Sequence, residues 1–219
     1  GELDYLSVQA KQAAVCGSLS AYLSYRGEAS DADHLNAYFM LSTKGLVSQQ
    51  EAIVELLQQT LLSVRFDEPQ RIKELVGQLR SRRQQSVGQS GHSFALGAAS
   101  RNMSAGANLQ YNVSGLDGLI WLQKLDDGLK NEDFLADLCD TLSKLHAQLC
   151  KQPIQLASVG EQQQKVHIQN TFTSAFASQV GALKGHVDWA YHKFDSQSQK
   201  QPAPQLWTTN TQVNYCARS

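Results

Sequence analysis

Phe66 to Leu125 reads FDEPQRIKELVGQLRSRRQQSVGQSGHSFALGAASRNMSAGANLQYNVSGLDGLIWLQKL, and the rest of the chain is arranged around it. It opens as a helix start. Asp67 is placed to cap free backbone N–H groups, Glu68 suits the positive end of the helix dipole, and Pro69 fits a first turn that needs no N–H. Gln70 completes a capping-box-like spacing with Asp67. Apolar residues recur at Ile72, Leu75, Val76 and Leu79, then at Val87, Phe94 and Leu96, with Arg80, Arg82 and Arg83 between them. That pattern predicts a long, mostly solvated helix with one narrow buried stripe. Gly88 and Gly91 each weaken it by about 1 kcal/mol relative to alanine, which predicts a kink or break near Gln89–His92.

Before this stretch, Leu3 to Val15 is amphipathic and reads as a helix, with Gly17 as its left-handed cap. Ser18–Tyr25 and Leu35–Leu41 alternate apolar and polar residues, as two half-buried strands do. The polar run RGEASDAD between them makes an antiparallel hairpin of the longer-loop kind. Ser48 and Glu51 have capping-box spacing before the helical run Ile53, Val54, Leu56, Leu57 and Leu61. Beyond the central stretch, short helices are expected from Ser104 and over Leu116–Leu125, and a longer one over Glu132–Cys150. Asn131 caps the last of these, and its stripe is Phe134, Leu138, Leu142, Leu145 and Leu149. Ile154–Val159 reads as a short buried strand. Gln162–Gln205 reads as a helical portion followed by an extended connector, and Leu206–Cys216 resumes strand character.

This order predicts an α+β fold, an antiparallel or mixed sheet with helices on one face. Its expected core joins Leu19, Leu23, Leu35, Phe39, Leu41, Ile53, Leu57, Leu75, Leu79, Leu138 and Leu142.

Composition sets limits. At 219 residues the chain can bury an ordinary core, and its net charge of -1 argues against a protein that grips nucleic-acid phosphate. No apolar run approaches the roughly 20 residues of a membrane span, and GELDYLSVQ has neither region of a secretory signal. Cys16, Cys139, Cys150 and Cys216 show no zinc-finger spacing and read as free thiols of a reducing compartment, such as cytoplasm or an organelle matrix.

Candidate chemistry is thin. His186 and His192, with Asp188 between them, offer two imidazoles and a carboxylate, but residues six apart on a helix face differently, so solvated or capping roles are preferred. His92 reads as a hydrogen-bonding spacer at the expected break rather than a base. Arg80, Arg82 and Arg83 read as a solvated face, with an acidic partner or a peptide-holding chamber wall as the alternative. Asn102 and Asn112 sit in glycosylation sequons that the missing signal and the free cysteines speak against. Gly97, Gly106, Gly115 and Gly118 do not form a phosphate-binding fingerprint, and Ser93 has no partner set suggesting a nucleophile. No residue is assigned a catalytic, cofactor-binding or metal role.

Several runs carry a resemblance: the FDE-x2-RI-x-EL-x2-Q opening, SGHSFAL at 90–96, AAS at 98–100, and SGL followed by Leu122, Lys124 and Leu125. With DYLSVQAKQAAVCGSLSA near the start and TNTQVNYCAR near the end, the chain resembles the third domain of the presequence-protease-like branch of the pitrilysin/insulinase zinc metallopeptidases. The resemblance implies a peptidase of four related α/β domains in two halves, with zinc on the first domain, that degrades short unstructured peptides in a closed chamber. It implies for this chain a non-catalytic wall segment, because the inverted His-x-x-Glu-His motif occurs nowhere in it. The family's substrate-holding Arg and Tyr pair likewise has no matching segment.

On that basis residues 1–160 are expected to form an incomplete pitrilysin-like domain lacking its first strand and helix. Residues 161–205 are then a helix and connector, and 206–219 the opening strand of the next domain. The implied cofactor is zinc in the parent protein, with none in this chain. The implied partners are the parent's remaining domains and a peptide substrate, with no nucleic acid and no membrane. Edge pairing or strand exchange through 207–216 is also expected. The rival reading is a free-standing α+β interaction module that binds a peptide or partner along a sheet edge.

Overall fold

The computed structural model describes residues 5–28, 30–152, 154–177, 206–208 and 213–218. Helix α1 (Tyr5–Val15) leads into strands β1 (Ser18–Glu28) and β2 (Asp31–Lys44), which pair as an antiparallel hairpin. Helices α2 (Gln50–Leu62), α3 (Pro69–Gln89), α4 (Gly91–Ser100), α5 (Ala105–Ser114), α6 (Leu116–Gly128), α7 (Glu132–Leu149) and α8 (Lys165–Ala175) follow. The fold is α+β, with helices packed together and a two-stranded sheet among the described residues.

The hairpin is longer than its polar middle suggested. Both strands run into RGEASDAD, because backbone pairing continues through polar residues once the register is set. The Gly17 N–H donates to the Lys44 carbonyl at 2.9 Å, so Gly17 begins the pairing instead of capping α1 in a left-handed conformation. No described glycine has a positive φ.

Two compact units divide the chain. The first comprises Gly1–Leu23, Phe39–Asp67 and Asp140–Trp189. Its centre is α2, whose Val54, Leu56 and Leu57 are buried. Phe176 closes over Val54 and Leu57, with Leu19, Leu41, Ile53, Leu61, Ile154 and Phe172 around them. Three side-chain amide or ammonium groups fasten the neighbours of α2. Gln50 Nε2 donates to Thr171 Oγ1 at 3.2 Å, and Gln58 Nε2 donates to the Ala175 carbonyl at 2.7 Å, which fastens the C-terminal half of α8 to α2. Lys11 Nζ holds α1 through Glu55 at 2.8 Å and Gln59 at 2.9 Å.

The second unit comprises Ser24–Tyr38, Glu68–Cys139 and Ala190–Ser219. Here α6 packs against α3 and α5, and α4 against both α3 and α5. Tyr111, Leu116, Leu122, Leu129 and Leu135 are buried. The hairpin tip lies on α5, where the space beside Gly106 is bounded by Leu35 Cδ1 and the Gly27 nitrogen.

Helix ends follow the sequence only in part. Ser104 Oγ accepts from the Ala107 N–H, and Asn131 Oδ1 accepts from Asp133 and Phe134, so α5 and α7 start where their caps predict. At α3 the N-cap position falls on Glu68 and Pro69 takes the first turn, while Asp67 turns to the Arg65 guanidinium at 2.9 Å instead of capping. A guanidinium two residues away outcompetes the helix N–H groups for that carboxylate. Ser48 lies in a short 3-10 turn (Val47–Gln49), so α2 begins at Gln50 without a side-chain cap. The long helix does break at the expected place, with Ser90 alone between α3 and α4.

The expected core needs correction. Leu19, Leu35, Leu41, Ile53, Leu138 and Leu142 are half-buried and Leu57 is buried. Leu23, Phe39, Leu75 and Leu79 are 44%, 49%, 45% and 39% exposed. In α3 the inward side runs through Ile72, Val76, Arg80, Arg83 and Val87, so the leucines fall beside it. In α7 the buried position is Leu135, with Phe134 and Leu145 exposed. Periodicity locates a face to within about one position, since successive helical residues are 100° apart.

The strand expected over Ile154–Val159 is absent: Ile154 packs on the α2 core and Val159 is fully exposed, without ladder pairing. Leu206–Cys216 also shows no strand in its described residues, 206–208 and 213–216; residues 209–212 lie outside them. Alternation marks a segment able to join a sheet, and an available edge has to meet it.

Replacing Leu56 or Leu129 by alanine is expected to cost about 2–5 kcal/mol in urea unfolding, against under about 1 kcal/mol for Leu75→Ala. Equal losses at Leu56 and Leu75 would contradict the observed phase of these helices.

Candidate functional site

The richest collection of charged and polar side chains lies in the second unit, where α3 meets α5 and α6. Arg80 Nη1 sits 2.8 Å from Asp126 Oδ2 and 3.2 Å from Asp127 Oδ1. These bonds strengthen its hold on the proton, Asp126 contributing most. Lys130 and then Arg80 keep the Asp127 carboxyl below the ordinary range. Arg83 Nη1 donates to the Ser114 carbonyl at 3.0 Å, satisfying a group at the end of α5. Burial raises the Tyr25 phenol, opposed by a hydrogen bond with Ser114 and by the Arg83 charge. Of the three arginines, two therefore brace helix against helix, and Arg82 is exposed on the outer face of α3.

That bracing sits beside an unusually close helix corner. A Cβ on Gly115 would lie 2.6 Å from the Tyr111 carbonyl oxygen and 2.8 Å from its Cα. One on Gly118 would lie 2.6 Å from the Val113 carbonyl carbon and 2.8 Å from the Asn112 oxygen. Backbone meets backbone here, so the glycines serve space, with no phosphate cradle between them. Gly97, on α4, meets nothing within 4 Å. Tyr111 beneath the corner is 2% exposed, with the Arg101 guanidinium 5.2 Å from its ring centroid. Burial raises its phenol, while the hydrogen bond from Arg101 acts the other way.

In the first unit the nearest approach to a reactive pair is His146 and Cys150, one turn apart on α7. Cys150 Sγ is 3.4 Å from His146 Nε2, and that nitrogen is 2.7 Å from the Leu61 carbonyl. A carbonyl only accepts, so Nε2 carries the proton and cannot take one from the thiol. Burial raises the Cys150 thiol further. The pair is an unactivated thiol beside a structural histidine that caps the end of α2. A hollow of about 360 Å³ at the start of α2, lined by residues 47–52 and His167, brings no such pair together.

The other singled-out residues are scattered. His34 lies on β2, and His92 and Ser93 lie exposed at the start of α4. Asn112 bonds Asn108 along α5, and Asn102 is half-buried in the turn before that helix. His186, Asp188 and His192 lie outside the described residues. Among the described residues no three His, Cys, Asp or Glu side chains gather as a metal set. The donors among the described residues do not fit a resident zinc, which takes three or four such ligands. What sequence reasoning missed is the Arg80–Asp126–Asp127–Lys130 chain, whose only sequence signal is a DDGLK run at the end of a helix.

Residues 1–125, from α1 to the body of α6, match the family described as Peptidase M16C associated. The chain belongs to this family, and is presequence-protease-like. Among curated proteins, a mitochondrial presequence protease of Danio rerio is 26% identical over 145 residues, 66% of this chain. The chain spans 14% of that relative's length. The M16C-associated match contains the α3–α4 break, the glycine corner and both bracing arginines. Asp126, Asp127 and Lys130 fall just past it.

Three measurements probe these assignments. Gly118→Ala should destabilise by about 1–3 kcal/mol through overpacking, although alanine is the better helix former; a gain in stability would remove the close-approach argument. Glu55, Asp67 and Asp127 are held below their ordinary values by Lys11, by Arg65, and by Lys130 with Arg80. Their contribution is present above the unfolded pKa and lost as pH falls through the folded one. The urea midpoint should therefore drop below about pH 4, and drop less in Asp127→Asn. With Ellman's reagent at pH 8, exposed Cys216 should react well before Cys150, and a faster Cys150 would mean an activated thiol.

Proposed function

We propose that this chain is a non-catalytic wall segment of a zinc-dependent metallopeptidase that degrades short, unstructured peptides inside a chamber. The observation that carries it is the M16C-associated match over residues 1–125, in a chain that spans 14% of its presequence-protease relative and has no His-x-x-Glu-His anywhere. In this reading zinc and the reacting groups belong to other parts of the parent polypeptide. By the same reading residues 1–160 belong to one pitrilysin-like domain and 206–219 lead toward the next. The arginine-braced helix layer supports a mechanical role, since its cations are spent on holding α3, α5 and α6 together. Arg82, outside that network, is the arginine available to a peptide.

The experiment is metal analysis and peptide cleavage on the isolated chain, beside the parent polypeptide. The chain should hold far less than one zinc and cleave nothing, while the parent binds zinc and cleaves the peptide. One tightly bound zinc per isolated chain, lost on mutating His186 or His192, would overturn the reading.

A second reading, an interaction module, has one observation in its favour. The hairpin exposes Tyr22, Leu23, Tyr38, Phe39 and Met40 along a ribbon without a third strand among the described residues. It predicts saturable binding of an extended peptide by the isolated chain, weakened by a proline in β2.

A further inference from the structure

The break between α3 and α4 is occupied. Gly91, first residue of α4, is buried, and what buries it is the ring of Tyr215, from 124 residues further along the chain. A Cβ on Gly91 would come within 2.9 Å of the ring's Cζ and nearer still to Cδ2 and Cε2. The phenol hydroxyl is 3.4 Å from the Gly88 carbonyl and donates to it. The His92 ring stands 6.4 Å away, tilted by 51°. Floor, acceptor and side wall thus come from five consecutive residues, VGQSGH without its valine, and all converge on one side chain.

The two glycines of this run differ in a telling way. A Cβ on Gly88 would meet nothing within 4 Å, whereas one on Gly91 would clash with the tyrosine ring. Helix-breaking alone explains both residues equally. Only the ring explains why position 91 has no room for a side chain. The described residues of the segment that carries Tyr215 make no strand.

We propose that the α3–α4 break is a binding notch for an aromatic residue on an extended segment, and that Tyr215 is its ligand. The notch clasps residues 213–218 to the helical unit. It takes a flat ring because a glycine forms its floor, and it favours a phenol over a phenyl because the Gly88 carbonyl sits at the ring's far end. A clasp of this kind sets the course of residues 213–218 along the unit.

The test is NMR relaxation on the full chain, with nuclear Overhauser contacts between the Tyr215 ring and Gly91 Hα as the direct readout. In the unsubstituted chain those contacts should be present, and backbone order parameters over 213–218 should lie near the rigid range. Tyr215→Ala should lower them below about 0.6. Gly91→Ala should do the same while keeping helix content by circular dichroism. Gly88→Ala, an equal change in helix propensity, should leave the segment in place, and Tyr215→Phe should loosen it only slightly. The Tyr215→Ala, Gly91→Ala double variant should be no looser than either single one. The proposal fails if Gly91→Ala behaves like Gly88→Ala, if Tyr215→Ala leaves the segment ordered, or if the two effects add. Should Gly91→Ala lose helix content, Tyr215→Ala, which changes no residue within a helix, decides alone.

Discussion

The contact on which the second unit depends is backbone against backbone at the α5–α6 corner. With no side chain at Gly115 or Gly118, the first turn of α6 rests directly on the last turn of α5. The Gly115 N–H then reaches the Gln110 and Tyr111 carbonyls at 3.0 and 3.1 Å, closing orphan groups at the end of α5. This approach seals Tyr111 beneath the corner and brings Ser114 to Arg83 and Asp126 to Arg80. The SGL element that carries much of the family resemblance is thus explained by space.

The charged groups tell the same story. A run of three arginines in a peptidase-associated chain invites a substrate-binding reading. Two of them are committed to neighbouring helices, one to a carbonyl and one to a pair of carboxylates. Such bonds fix direction more than they add free energy, because partly exposed ion pairs gain little over their hydration. His146 is similar: its proton is turned toward the Leu61 carbonyl, which joins α7 to the end of α2 and removes the base that Cys150 would need. Side chains with chemical potential are here turned to holding helices in place.

Local signals were legible where the interaction that decides them is local. The Ser104 and Asn131 caps, Pro69 in a first turn and the break after Gly88 involve residues within a few positions of one another. Asp67 was misread because another short-range partner, Arg65, was available to it. In β2 the expected phase is observed, with Leu35, Ala37 and Leu41 half-buried, but Leu23, Phe39 and the leucines of the α3 stripe depart for a different reason. Leu23, Phe39, Leu75 and Leu79 have the right spacing for burial, but spacing describes a face and does not supply what covers it.

By itself the sequence determined the α+β class, the helices and hairpin in their order, the lack of an inverted zinc motif, and the family. These depend on residue types at short spacings, or on a pattern held along the chain, and need no distant partner. Tertiary structure alone decided that Arg80 and Arg83 are braces, that Leu135 and not Phe134 faces the core, and that the thiol of Cys150 lacks a base. It alone put Tyr215 over Gly91. Each of these is a choice between partners far apart in sequence, and the choice goes to whichever packing excludes water and leaves fewest polar groups unpaired.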